Sequence, residues 1–358
     1  MADTDLIING TRIPARRGDT ILAAGEAAGL RMPKDGSAPC AHDALCESCR
    51  IRLESGEVDD NGSRIGASVL ACRTKVTGEA AFSFQPFPRE MKTSAEVIEL
   101  RSLAPEIVEL VVRIDKPIPY LPGQHVLVSV GKWPARRLTP TLSLDGLREL
   151  DTLHFHIRRR ADGVVGGNPE RLFMPGARLK ISGPYGQSFL RHGDGRIVLV
   201  SSGTGFAAIW SMAVAARLGQ PHRPLHIVAS AHDPRQLYMR PAVEWLARQG
   251  VSEITLTASG AHPLPPARGG RAVQHLPGLA PSDTVYAAGH PDMVRAVMDV
   301  AARAKAITYG IPHVPAAQET GMVEKIARFF GREPKQAQTV VATPVDALAS
   351  NIRRIGPG

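Results

Sequence analysis

A chain of 358 residues that is 43% hydrophobic and 22% charged has enough apolar material for two or three domain cores. Its net charge of +9 fits an arginine-rich background or electrostatic steering toward an acidic protein partner. With aromatics at 5% and no basic run alternating with them, nucleic acid is not the expected partner. No uninterrupted apolar run is long enough for stable membrane insertion, since the most apolar stretch, 197–216, is broken by Ser201-Ser202-Gly203-Thr204-Gly205. The opening Met-Ala-Asp-Thr-Asp lacks a signal-peptide pattern, so the expectation is a cytoplasmic protein whose thiols stay reduced.

From the amino end, Leu6-Ile7-Ile8, Asn9-Gly10 and Arg12-Ile13-Pro14 predict a hairpin. Thr20 caps a predicted helix to about Ala28, with Ile21, Leu22, Ala24 and Ala28 on its buried side and Gly29 as its stop. The four cysteines follow, Cys40, Cys46, Cys49 and Cys72, in the spacing C-x5-C-x2-C-x22-C. Three thiolates in one short loop with a fourth arriving later describe a four-thiolate site, and soft sulfur selects zinc or an iron–sulfur cluster. Structural zinc usually takes two C-x2-C-like pairs, whereas three ligands against one is the asymmetry of a [2Fe–2S] loop. Zinc and disulfides stay open on spacing alone. A strand is predicted at 50–53, and 84–91, with two prolines, reads as a linker.

From Lys92 the texture is β, with alternating runs at 95–102, 107–114, 125–130 and 153–159 that suggest a small barrel. After Phe189 strands at 197–200, 225–230, 253–256 and 284–288 alternate with helices, the pattern of a doubly wound parallel sheet. Two strand-to-helix turns there, Ser202-Gly203-Thr204-Gly205 and Ala288-Gly289-His290-Pro291-Asp292-Met293, suit one dinucleotide at the carboxyl ends of the strands. Each is also compatible with a plain tight turn. In the β region Arg136-Arg137-Leu138-Thr139-Pro140 offers a guanidinium for a pyrophosphate, and Asp162 to Asn168, with Gly166 and Gly167, is either a phosphate-facing helix start or a loop. In the tail, Met322, Val323, Ile326, Phe329 and Phe330 share one helical face, which packs back on the body or docks a partner.

Gly18-Asp19-Thr20, Ile51 to Val58 and Val69 to Arg73 around the cysteines resemble the [2Fe–2S] ferredoxin family over about the first 85 residues, with one extra residue between Cys40 and Cys46 as in its adrenodoxin-like branch. Glu47 stands where a small glycine often follows the second cysteine. The ordered landmarks Pro122-Gly123-Gln124, R-x-L-T-P, Gly163 to Gly167, G-P-Y-G-x-S-F, S-G-T-G and A-G-H-P-x-M resemble the ferredoxin–NADP reductase superfamily from about 92 to 312. The whole resembles reductase components of bacterial multicomponent oxygenases. Four departures stand out: Leu138 for a tyrosine over the flavin, Gly166 for serine, Ala288 and His290 in the C-G-P turn, and a chain that runs on past the usual terminal aromatic.

The resemblance implies a β-grasp-like ferredoxin domain (1–85), a linker (86–91), an antiparallel β-barrel flavin domain (92–189), a doubly wound α/β NAD(P) domain (190–312) and an extension (313–358). It implies electron flow from NADH or NADPH through FAD, with FMN the less favoured flavin, and a [2Fe–2S] cluster on the four cysteines. The acceptor would be an acidic redox protein, an oxygenase or a separate ferredoxin. The flavin would meet Arg136, Leu138, Thr139, Pro140, Gly166 and Gly167. The nicotinamide coenzyme would meet Gly203, Thr204, Gly205, Ala288, Gly289, Pro291 and Met293. No side chain is needed as acid or base, because cofactors carry the chemistry. The departures also motivate a redox-sensing or scaffold protein with weakened turnover, and the thiols alone a zinc-stapled binding module.

Overall fold

In the computed structural model the described residues are 4–36, 46–131, 133, 135–146, 151–159, 169–260, 263 and 265–313. The tail face at 322–330 and Asp162 to Asn168 lie outside them. Among the described residues no helix is long and apolar enough to cross a membrane.

The first sheet holds β1 (Thr4–Ile8), β2 (Thr11–Ala15), β3 (Arg50–Gly56), β4 (Ser68–Leu70) and β5 (Ala80–Ser83) in the order β2-β1-β5-β3-β4. Asn9 and Gly10 supply the two positive φ angles, 49° and 79°, that the tight hairpin turn demands. Alternation puts Leu6, Ile8, Ile13 and Ala15 inward. Helix α1 (Ile21–Ala27) starts as expected, with Thr20 Oγ1 accepting from the Ala23 amide at 3.2 Å. Ala28, expected on the buried side, is exposed because the helix ends before it. Gly25 is buried in its stead, against Met32.

The second sheet is antiparallel: β6 (Met91–Ala104), β7 (Ile107–Ile114), β8 (His125–Val130), β9 (Arg136–Leu138), β10 (Thr152–Arg158) and β11 (Arg178–Tyr185), in the order β10-β7-β6-β11-β8-β9. Two irregularities in the β6–β7 pairing, at Val97/Glu99 and Ser102/Ala104, help it curl. Thr141, just beyond one edge strand, bridges His154 on the other edge, so the sheet comes close to closing as a half-barrel. A short helix, α2 (Pro169–Leu172), follows β10.

The third sheet is parallel, β15-β14-β13-β12-β16-β17, from β12 (Ile197–Ser202), β13 (Leu225–Ala231), β14 (Glu253–Ala258), β15 (Arg268–Gly269), β16 (Thr284–Gly289) and β17 (Ile307–Pro312). Helices α3 (Phe206–Gly219), α4 (Arg240–Arg248) and α5 (Pro291–Arg303) connect the strands. Separate clusters centred on Trp210 and on Val297 cover its two faces. The strand order reverses between β12 and β16, which places a crevice at their carboxyl ends.

Arg191 ties the segment after β11 to β17 and to the connection between the first two sheets. Its guanidinium lies 3.5 Å over the Phe189 ring and 4.9 Å from that of Tyr309, and donates to Gln85 Oε1 at 2.6 Å. A second junction is polar. Glu109 accepts from His154 Nδ1 at 2.9 Å and pairs with Arg101 at 2.6 Å, and His156 Nδ1 meets the Tyr238 hydroxyl at 2.9 Å. Burial, partly offset by Glu109, pushes His156 down to about 4. The folded ring therefore stays neutral while an unfolded one protonates below about 6.5, and between those values the unfolded state binds the extra proton. Stability should fall as pH drops through that window, by about 1.4 kcal/mol per unit at most from this site. Thermal denaturation from pH 7.5 to 4.5 checks this, and His156→Gln should flatten the slope.

Candidate functional site

The thiols are positioned by a hairpin. Cys49 immediately precedes β3 and Cys72 comes two residues after β4, and the pairing of these strands, Arg50 opposite Leu70, brings the distant cysteines together. The Ala71 amide donates to the Cys49 carbonyl at 3.1 Å, and the Cys72 amide to Cys49 Sγ at 3.4 Å. A backbone N–H aimed at sulfur stabilises thiolate character and tunes a cluster. Cys49 and Cys72 are buried and Cys46 is partly exposed. Cys40 lies outside the described residues, among which no three His, Cys, Asp or Glu side chains converge on a single ion.

Glu47 takes φ of 54°, the left-handed conformation that a glycine adopts without strain. Its compensation is a buried ion pair: both Glu47 oxygens meet Arg50, one from Nη2 at 2.9 Å and one from Nε. Arg50 also donates to the Ser63 carbonyl at 2.9 Å, fastening the cysteine loop to the far side of the hairpin. An orphaned member of such a pair would be costly in the core.

Of the expected flavin residues, Arg136 and Leu138 are half-buried on β9, and Thr139 and Pro140 are buried just past it. Gly166 and Gly167 lie outside the described residues. The next hydroxyl, Thr141 Oγ1, donates to the Ala207 carbonyl at 2.7 Å, and Trp210 Nε1 to the Ser143 carbonyl at 3.0 Å. These bonds seat the arginine strand's continuation on the start of α3, whose preceding turn is Gly203-Thr204-Gly205. Buried Gln124 accepts from the Leu121 amide at 2.9 Å and donates to the Gly186 carbonyl at 3.1 Å. It thereby welds the Pro122-Gly123 turn to the G-P-Y-G turn.

The turns expected to meet the coenzyme come together at the crevice between β12 and β16. Ser202 Oγ accepts from the His290 amide at 2.9 Å. Gly203 has φ of 54° with open space where a Cβ would stand, while a Cβ on Gly205 would strike the backbone of Ala288 and Gly289. Ala288 and Gly289 close β16, Pro291 opens α5, and His290 Nδ1 accepts from the Asp292 amide at 3.3 Å. Met293 is half-buried against the core beneath the sheet. The open cradle at Gly203 and the helix starts behind both turns suit an anionic dinucleotide.

Sequence reasoning missed four side chains that the fold gathers beside these turns. Asp35, from the segment before Cys40, pairs with Arg137 Nη1 at 3.0 Å and lies 3.2 Å from His125 Nε2. His313, following β17, sets Nδ1 3.3 Å from Thr204 Oγ1. Burial, then Arg137 and His125, push His313 down to about 4. Only Arg137 carried a signal, as the second arginine of a flagged motif.

Residues 6–77 match the model of the 2Fe-2S iron-sulfur cluster binding domain. The chain is 30% identical over 207 residues to the reductase component, ferredoxin–NAD(P)(+), of the naphthalene 1,2-dioxygenase system of Pseudomonas putida, covering 54% of this chain and 62% of that protein. It is 26% identical over 301 residues to the reductase component of naphthalene 1,2-dioxygenase/salicylate 5-hydroxylase systems of Ralstonia sp., covering 77% and 88%. Among solved structures, an Amycolatopsis cytochrome P450 reductase superposes with a TM-score of 0.63 at 22% identity, covering 88% of this chain and all of that one. A 2Fe-2S domain is thus followed by the fold of these reductases, an antiparallel sheet and then a parallel α/β sheet.

Proposed function

We propose that the protein is the reductase component of an oxygenase system, passing electrons from NADH through FAD and a [2Fe–2S] cluster to an oxygenase. The observation that carries this reading is the Thr141–Ala207 hydrogen bond, which seats the flavin strand on the helix behind the coenzyme turn. When bound, the flavin takes two electrons from the nicotinamide and the cluster relays them singly, which is chemistry the protein itself lacks.

The chain's own part is to bind and orient. Cys40, Cys46, Cys49 and Cys72 hold the cluster, and Arg136 pairs with the flavin pyrophosphate beside Leu138, Thr139 and Pro140. The glycine turns 203–205 and 288–289 take the coenzyme. We divide the chain at 1–85, 92–189 and 190–312, a reading supported by the three separate sheets. At the end of β13, Asp233 pairs with Arg235 at 2.6 Å, so this arginine is already engaged where a 2′-phosphate would need it, and NADH is favoured over NADPH. The charge of +9 favours an acidic acceptor, and its excess sits outside the first 85 residues, where acids slightly outnumber bases. It therefore acts as a long-range steer, and coupling to the acceptor should weaken with salt. The cytoplasm is the natural site for such a thiolate cluster.

Anaerobic visible spectra during titration with NADH, then NADPH, test the reading. Flavin and cluster bands that both bleach with NADH support it. Cluster bands without reducible flavin would mean a sensor or scaffold, and a colourless zinc protein a binding module. Arg136→Ala should purify with its cluster and less than about a tenth of its flavin, the loss of a charge-assisted pair to phosphate. Full flavin content in that variant would sink the Arg136 assignment.

A further inference from the structure

The loop that bears three of the four cysteines is preceded by a carboxylate that does not belong to the ferredoxin core. Asp35 has a side chain only 8% exposed, yet its ion-pair partners come from the second sheet: Arg137 Nη1 at 3.0 Å and His125 Nε2 at 3.2 Å from the same oxygen, Oδ1. His125 Nε2 also lies 2.9 Å from the Asp35 carbonyl, an oxygen that can only accept, which assigns the proton to this nitrogen. Next in sequence, Gly36 takes φ of 82° and lies against the Tyr185 ring so closely that a Cβ would land within it. The Tyr185 ring in turn packs 5.8 Å from that of His125.

These contacts join two sites. Asp35 stands five residues before Cys40, and Arg137 lies between Arg136 and Leu138 on the flavin strand. On the third side His313 closes the group, with its ring 3.3 Å from Thr204 of the coenzyme turn. A carboxylate this buried is tolerated only with charge compensation, and the Arg137 guanidinium 3.0 Å away supplies it. The interaction reaches beyond the first sheet, because both partners in it, Arg137 on β9 and His125 on β8, belong to the second. Its effect is to fix where the cysteine loop begins relative to the flavin strand.

Building on the proposed reductase function, we propose that Asp35 is a positioning residue: clasped by Arg137 and His125, it docks the start of the cysteine loop on the flavin strand and sets the rate at which electrons pass from flavin to cluster. Asp35→Asn keeps the shape and removes the charge. In anaerobic stopped-flow mixing of the holoprotein with NADH, this variant is expected to bleach its flavin at the wild-type rate and its cluster about ten- to hundredfold more slowly. Asp35→Glu should recover part of the loss.

A second readout needs no turnover. Arg89 is exposed in the connection between the first two sheets, and trypsin should cut there several-fold faster in Asp35→Asn than in wild type, with or without cofactors bound. Gly36→Ala, which pushes the same segment off Tyr185 by steric contact, should reproduce both effects, and it carries the test if Asp35→Asn does not load its cluster. Wild-type values of either the cluster bleaching rate or the cleavage rate would overturn the proposal. A wild-type protein whose cluster does not bleach with NADH sinks the functional reading instead, and the cleavage comparison then decides the clasp alone.

Discussion

Cys72→Ala is expected to purify yellow, with its flavin and no cluster. Cys72 is 3% exposed and sits in the core of the first sheet, where its amide donates to Cys49 Sγ. Loss of its sulfur removes the one ligand supplied from outside the short loop, and three thiolates from that loop leave an iron coordinatively open. The fold should survive, because shortening this small side chain costs on the order of 1 kcal/mol and leaves the β3–β4 pairing and the Cys72 amide in place. Iron per polypeptide should fall to near zero while NADH-driven reduction of a dye that takes electrons from the flavin stays within about twofold of wild type. Transfer to a one-electron protein acceptor should be lost. Iron retained at the wild-type ratio would mean that Cys72 is not a ligand.

What the sequence disclosed and what it hid follow one physical line. The cysteine loop was legible as a candidate metal site because three thiols lie in one short stretch and local crowding of soft donors has few other uses. The hairpin at Asn9-Gly10 and the cap at Thr20 were legible for a similar reason: each is a local rule about φ or an orphan N–H. The parallel sheet announced itself through alternating strand and helix, although β15, two residues long, and β17, whose Tyr309-Gly310 breaks any apolar alternation, did not. The near-closure of the second sheet rests on Thr141 meeting His154, a contact that no periodicity encodes.

The same limit applied to the site. Arg136 and the glycine turns could be put forward as phosphate contacts because such binding uses short motifs. Asp35, His125 and His313 come from three separate stretches and become one group only when the three sheets pack. Glu47 was visible as a departure from glycine, but its solution, the left-handed φ held by Arg50, required the partner three residues on to fold back beneath it. Isolated charged residues in sequence look like solvated surface. Only burial reveals that Asp35 and Glu47 are structural ions.

The largest effect on coenzyme binding is expected from Gly205→Ala. This glycine has an ordinary helical φ of −57°, so the substitution brings no backbone strain of its own. The obstacle is the neighbouring strand: an added Cβ would stand 2.6 Å from the Gly289 amide nitrogen and closer still to the Ala288 carbonyl. These are backbone atoms held by the β12–β16 ladder, Ser201 opposite Ala288, and they have no rotamer by which to yield. The two turns must separate, and the Ser202–His290 hydrogen bond that ties them must lengthen or break. Overpacking of this kind costs about 1–3 kcal/mol. Carried into coenzyme binding, that corresponds to roughly a ten- to hundredfold fall in kcat/KM for NADH, expressed mainly as a higher KM. Flavin and cluster content should be unchanged. Gly219→Ala, at the far end of α3 with open space around it, is the control and should be neutral. Equal kinetics in the two variants would show that the turns do not need their close approach to bind the coenzyme.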